Sequence, residues 1–389
     1  MSMRIAMLSW ESLHSIPVGG LAAHVSELAD ALCRNGHDVH VFTRMDHGQS
    51  RYACIDGVHY HRCPFEPHPD FLTYIDRMCD SFVARLKDAE SFYGEPFDVV
   101  HGHDWLSVRA LVQAKNLLGR PAVLTMHSTE FSRCGNELRD GLSSRIREVE
   151  WEGTYVADRV ICVSRALKEE VRRLYSVPDE KMAPIYNGVN VGRFDVDVDV
   201  NSVRARHGIT PEDPLVLFVG RLAWQKGPDL LMDTIPNVLH HHADTKFVFA
   251  GDGDMRRSLE GSAARMGLFN AVRFAGHRSG LDLVSLFKGA DTVCIPSRNE
   301  PFGIVVLEAW SAAKPVVVTR SGGPSEFVRD QETGLTVSAD AESIGWGLGT
   351  ALSDAERSRQ MGRNGRREVE SYFSWDVIAH QTEEVYQGL

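Results

Sequence analysis

No stretch of this sequence approaches the roughly eighteen consecutive apolar residues that a membrane-spanning helix requires. The amino terminus, Met1 to Ser9, also lacks the long apolar core of a signal peptide and reads as a first β-strand. Basic charge is in deficit. A formal net charge of −11 argues against a dedicated nucleic-acid binder, while leaving room for a local basic pocket around a phosphorylated ligand. The seven cysteines form an odd number without a Cys-x-x-Cys pair, and Cys162 and Cys294 fall in strand-like apolar runs. They read as reduced thiols of a cytoplasmic protein, not as disulfides or a zinc site.

What is present is alternation. Apolar β-rich runs at 4–9, 38–43, 98–101, 122–126, 159–163 and 182–186 are separated by helical periodicity at 21–34, 71–92, 105–118 and 166–175. The pattern restarts with strands at 215–219, 246–250, 272–275, 291–295, 315–319 and 335–337, and helices at 228–241, 255–266, 281–288 and 305–313. Such alternation predicts α/β architecture with parallel sheets covered by helices. A chain of 389 residues exceeds one typical core, so two doubly wound domains are expected, 1–188 and 189–372. The connecting stretch 188–207 carries an acidic Asp195-Val196-Asp197-Val198-Asp199 run, shows no clear period and reads as a linker. A last helix is expected over 375–387, and a cleft between two such domains is a natural ligand site.

The densest chemistry lies in Ser297-Arg298-Asn299-Glu300-Pro301-Phe302-Gly303-Ile304-Val305-Val306-Leu307-Glu308, where two glutamates stand eight positions apart around a Pro-Phe-Gly turn. A strand-like run precedes it, so Glu300 is expected at a strand's carboxyl end, where α/β sheets bind ligands. Glu308 is expected about two turns into the following helix. Gly303 permits close approach of a ligand, and the N–H groups of Ile304 and Val305 open a helix N-terminus suited to an anion. Carboxylates accept from sugar hydroxyls and a helix N-terminus holds phosphate, so the segment points to a nucleotide-sugar. Gly220-Arg221-Leu222-Ala223-Trp224-Gln225-Lys226-Gly227, after the first strand of the second half, brings two cations to another strand end, with chemistry suited to a diphosphate. Gly19-Gly20 after the first strand offers backbone N–H groups at a helix start.

These segments together resemble the large retaining glycosyltransferase family that includes glycogen synthases and sucrose synthases, and the resemblance runs over nearly the whole chain. It implies a GT-B fold, two Rossmann-like domains facing a central cleft, with the tail 373–389 crossing back onto the first. The Gly-Arg…Lys-Gly match makes Arg221 and Lys226 candidates for stabilising the departing nucleoside diphosphate. The Thr125-Met126-His127-Ser128 match sets His127 against the transferred sugar. Glu300 is assigned to sugar hydroxyls, Glu308 to the ribose, and the Gly251-Asp252-Gly253 turn to the nucleotide base. Tyr186-Asn187-Gly188-Val189-Asn190 matches the hinge. His101-Gly102-His103-Asp104-Trp105 resembles an element of glycogen and starch synthases. There Asp104 is expected to cap the next helix, and a metal reading of the His-x-His pair finds no acidic or histidine partner nearby. Phe302 departs from the cysteine common in glycogen synthases.

The resemblance implies a metal-independent, retaining transferase with no resident cofactor. The donor is a nucleoside-diphosphate hexose with glucose favoured, and the acceptor a soluble saccharide such as an α-glucan. A lipid or small-molecule acceptor is one alternative; a non-catalytic nucleotide-sugar binder is another. A glycosidase also uses paired carboxylates, but the cationic loop and glycine turns point to a phosphate leaving group.

Overall fold

The computed structural model describes residues 2–389. It divides into two compact units, one running to Gly188 and taking in Trp375–Leu389, the other comprising Val189–Ser374.

The first unit is built on an eight-stranded sheet: β1 Arg4–Leu8, β2 Asp38–Arg44, β3 Tyr52–Ile55, β4 Val58–Cys63, β5 Val99–His103, β6 Ala122–Met126, β7 Arg159–Cys162 and β8 Met182–Pro184. Their spatial order is β3-β4-β2-β1-β5-β6-β7-β8. Every pairing is parallel except that of β3 with β4. β5 and β6 are buried at every position, as a sheet covered on both faces requires. Helix Trp375–Gln387 belongs to this unit because Trp375, Ile378, Ala379 and Tyr386 form one apolar stripe, buried with Val25, Leu28 and Leu32 of helix Gly20–Arg34.

The second unit carries six parallel strands: β9 Leu215–Val219, β10 Lys246–Ala250, β11 Val272–Gly276, β12 Thr292–Ile295, β13 Val316–Thr319 and β14 Leu335–Val337. Their order is β11-β10-β9-β12-β13-β14. Helix Pro228–His241 starts on Pro228, whose missing N–H costs nothing at a first helical position. Its Leu231, Met232, Ile235 and Val238 enter the core beside Phe218, Phe247 and Phe249.

Several expectations need correction. The 188–207 stretch is not a plain linker: Val191–Phe194 forms a 3-10 turn and Val200–Arg206 a helix, capped by Asp199 accepting from the Ser202 N–H at 3.1 Å. The β3–β4 hairpin was not anticipated, because β3 has only four residues, none of them buried, and no polar–apolar alternation. Helices Leu142–Val156, Ala341–Ser353 and Ala355–Tyr372 were also not anticipated; the last has only Ser358, Met361, Gly362, Gly365 and Val369 buried, too small a stripe to read. The helix expected from Trp105 begins at Val108, after a 3-10 turn. Asp104 does not cap it. It makes no side-chain capping hydrogen bond; its φ is 60°, and its carboxylate stands 3.7 Å from Arg133. No helix among the described residues is long and apolar enough to cross a membrane.

Candidate active site

In the second unit the strand order reverses between β9 and β12, the position where doubly wound sheets bind ligands. The loops leaving these two strands carry Lys226 and Glu300. The Lys226 ammonium lies 2.9 and 2.8 Å from the two carboxylate oxygens of Glu300, and Ser297 Oγ donates to Oε2 at 3.0 Å. Glu300 is 7% exposed. A carboxylate has about four acceptor positions, so with three engaged it keeps room for one more donor. Backbone bonds join the loops: the N–H of Arg298 donates to the carbonyl of Gln225 at 2.8 Å, and that of Gly323 to the carbonyl of Glu300 at 2.8 Å. Arg298 also forks onto Asp229 at 2.9 and 2.7 Å while lying over the Trp224 ring.

Gly303 adopts φ +100° immediately before helix Ile304–Ser311, and a Cβ there would stand 2.8 Å from Pro324 Cγ. Only glycine meets both conditions cheaply. The helix then presents the N–H groups of Ile304 and Val305 in its first turn, where no intrahelical carbonyl can reach them. Glu308 is the fifth residue of this helix, just past one turn rather than two, and is half-buried. The Gly251 turn after β10 packs against the β9 loop so closely that a Cβ would meet the Gly220 carbonyl oxygen at 1.9 Å. Arg221 is exposed on that loop, and its side chain has no hydrogen bond or ion pair among the described residues.

In the first unit the order reverses between β1 and β5. Gly19 and Gly20 follow β1 and are exposed, but the Gly19 N–H already donates to Glu11 Oε2 at 2.7 Å, with the Val18 N–H on the same oxygen. Glu11 thus places an internal anion where a phosphate was expected, and burial holds its carboxyl above the usual range.

His127, at the end of β6, does not stand alone. The His24 ring from helix Gly20–Arg34 meets it edge-on at 4.5 Å, and His103 Nδ1 lies 3.4 Å from His127 Nε2. One nitrogen of each of these three rings lies within 4.8 Å of the others, so the third partner absent from the sequence neighbourhood is supplied by a helix 79 residues before His103. His24 Nδ1 meets Asn187 Oδ1 at 2.8 Å, whereas Nε2 of His24 and Nε2 of His103 are buried without partners. Burial drives all three toward the neutral form: His24 falls to about 4, and His103 and His127 well below the ordinary imidazole value. His101 is tied differently, to Tyr386 Oη at 2.6 Å and Thr125 Oγ1 at 2.7 Å. Behind His127, Arg133 donates to Ser128 Oγ at 2.6 Å and to the fully buried Glu150 at 2.6 Å, fixing the loop.

Within the second unit, then, Lys226, Glu300, Gly303, Ile304, Val305 and Glu308 fall on adjoining loops and one helix, with Arg221 and Gly251 on neighbouring turns. Within the first, His127 and the Gly19-Gly20 turn are linked through His24. Glu11, His24, Asn187 and Ser297 were missed. Asn187 and Ser297 had a signal, their places in the hinge motif and in the paired-glutamate segment; the others are ordinary residues made important by what folds against them.

Models of two families match the chain: Glycosyltransferase Family 4 over residues 18–193 and Glycosyl transferases group 1 over residues 199–368. An uncharacterised glycosyltransferase of Methanocaldococcus jannaschii is 39% identical, over 99% of this chain and 98% of its own length. A glycogen synthase of Mycobacterium tuberculosis is 30% identical over 99% of this chain and 94% of its own. The structure of sucrose-phosphate synthase from Thermosynechococcus elongatus superposes with a TM-score of 0.84 at 26% identity, covering 99% of this chain and 98% of that one. A reversal of strand order in both sheets, cationic and glycine-rich loops at those points and these matches agree, and the chain belongs to the group 1 glycosyltransferases: a GT-B, glycogen synthase-like enzyme with a family 4 amino-terminal domain, transferring sugar from a nucleotide sugar.

Proposed function

We propose that the protein is a retaining, metal-independent hexosyltransferase that moves a glucosyl group from a nucleoside-diphosphate glucose to a soluble saccharide. The observation that carries this reading is the pairing of Lys226 with Glu300 beside the Ile304–Val305 helix start. It sets a cation for phosphate, a carboxylate for sugar hydroxyls and a helix N-terminus within one set of loops. Arg221 and Lys226 neutralise charge developing on the departing diphosphate, helped by the helix dipole, which is the work a divalent ion does elsewhere. The acceptor hydroxyl oxygen bonds to the anomeric carbon as the carbon–oxygen bond to the diphosphate breaks on the same face. The hydroxyl proton passes to the leaving phosphate oxygen, so no side-chain base is required. Neutral His127 contacts the sugar as a hydrogen-bonding group, Glu300 orients its hydroxyls and Glu308 holds the ribose.

Relatives named glycogen synthase and sucrose-phosphate synthase favour a saccharide or sugar-phosphate acceptor. Helix Phe71–Tyr93 buries Ile75, Met78, Phe82, Leu86 and Ala89 in the first unit, which removes its apolar face from service to a bilayer. The test is a donor panel scored by released nucleoside diphosphate, run with short α-glucans or sugar phosphates as acceptors. The product's anomeric configuration is then read by NMR. An inverted product, or release only in the presence of glycolipid, overturns the reading.

A further inference from the structure

A second group of ligating side chains lies on the β2–β4 sheet of the first unit and uses none of the residues placed in the candidate active site. Side chains two apart on a strand share a face. Asp38 and His40 therefore leave β2 on one side, and His59 and His61 leave β4 together. His40 and His59 are register partners in the parallel β2–β4 pair. Asp38 Oδ1 stands 3.0 Å from His40 Nε2 and 3.6 Å from His59 Nε2, and the three ligand atoms all lie within 4.8 Å of one another.

We propose that Asp38, His40 and His59 form a binding site for a divalent transition-metal ion of the Zn²⁺ class. Ligands at the usual ~2.0–2.1 Å in a tetrahedral shell stand about 3.4 Å apart, and the two carboxylate–imidazole separations bracket that figure. Two imidazoles and one carboxylate suit a borderline cation and leave a position for water.

The groups behind the ligands support the same assignment. A metal-bound imidazole donates its other N–H to a partner. His40 Nδ1 has one in His61 Nε2 at 2.9 Å, and His59 Nδ1 has one in Tyr52 Oη at 2.6 Å. Arg4 Nε donates to the outer carboxylate oxygen of Asp38 at 2.7 Å, orienting the inner one. The rings of His40 and His59 stack at 4.5 Å with planes 18° apart. Binding of one ion by both Nε2 atoms requires the His59 ring to rotate out of this stack; its side chain is 24% exposed and has room to do so, while that of His40 is fully buried. Such an ion ties β2 to β4 and serves the fold.

The experiment titrates the metal-free full-length protein with Co²⁺ and Zn²⁺. Wild type is expected to bind one equivalent, with visible cobalt absorption of a low-coordinate site and a rise in melting temperature with Zn²⁺. His59→Gln and, as a second variant, Asp38→Asn are each expected to lower affinity at least about a hundredfold. His24→Gln, in the other histidine group, leaves binding unchanged. Absence of saturable binding in wild type overturns the proposal, as does binding that survives both His59→Gln and Asp38→Asn. Binding abolished by His24→Gln overturns it too, and assigns the ion to the His24, His103 and His127 group.

Discussion

The ammonium of Lys226 is held between both carboxylate oxygens of Glu300, at 2.9 and 2.8 Å. A cation assigned to the leaving diphosphate and a carboxylate assigned to the sugar are thus each other's partners. The pair keeps Glu300, almost fully buried, from standing as an uncompensated charge. Under the proposed mechanism a diphosphate competes with Glu300 for the same ammonium, and donor binding redistributes this contact.

Lys226→Ala and Arg221→Ala are each expected to lower turnover at least about tenfold, since both cations face charge that grows in the transition state. Their effects on stability should differ. Arg221 is exposed and without a side-chain partner among the described residues, so its loss costs under about 0.5 kcal/mol. Loss of Lys226 strands Glu300 and lowers the melting temperature. Near wild-type nucleoside diphosphate release by both variants would show the leaving-group site to lie elsewhere.

Glu308→Ala is expected to weaken nucleotide binding chiefly, and Glu300→Ala to lower turnover chiefly. Glu308 sits one turn past the Ile304 helix start proposed to hold phosphate, whereas Glu300 sits before it on the strand side. Calorimetry with free nucleoside diphosphate separates the two. Equal affinity of wild type and Glu308→Ala would remove the ribose assignment.

Chelation by EDTA is expected to leave turnover largely intact, because Arg221, Lys226 and the helix dipole carry the phosphate charge. Removal of an ion from Asp38, His40 and His59 should appear instead as a lower melting temperature. Loss of turnover restored by Mg²⁺ or Mn²⁺ would contradict metal independence.

Acid should weaken the histidine-lined region of the first unit. The His24 ring falls to about 4 in the fold from an ordinary 6.5, mainly through burial. Between those values the unfolded chain binds the proton and the folded chain does not, so this ring's contribution to stability is lost as pH falls from 6.5 toward 4. The expected size is on the order of a few kcal/mol. Measured from pH 7 down to pH 4, the stability of His24→Gln should gain steadily on that of wild type. A difference independent of pH would show that His24 is not held neutral.

Much of the placement of the donor-side candidates was legible from residue order because it is local. Lys226 and Glu300 each lie on the loop that leaves a β-strand, and a strand's end announces itself by where an apolar run stops. Gly303, Ile304 and Val305 are consecutive, so the helix start they form needs no distant partner to be seen. The parallel α/β pattern was legible for the same reason, since the period changes from strand to helix within a few residues. The β3–β4 hairpin escaped because its first strand, Tyr52–Ile55, has only four residues and no polar–apolar alternation, although Val58 and Tyr60 do alternate with His59 and His61 in the second.

The sequence by itself determined two α/β sheets, the glycine and cation loops that follow their strands and the nucleotide-sugar chemistry those loops carry. These depend on neighbours within about one element's length. Only the tertiary structure decided that Glu300 takes Lys226 as its counter-ion across 74 positions, that Glu11 occupies the Gly19 N–H, and that His24 completes a group with His103 and His127. It likewise set His40 beside His59. The reason is physical: the strand order that folding selects brings distant loops to one edge of a sheet, and a buried polar group must find its partner there, wherever in the chain that partner lies.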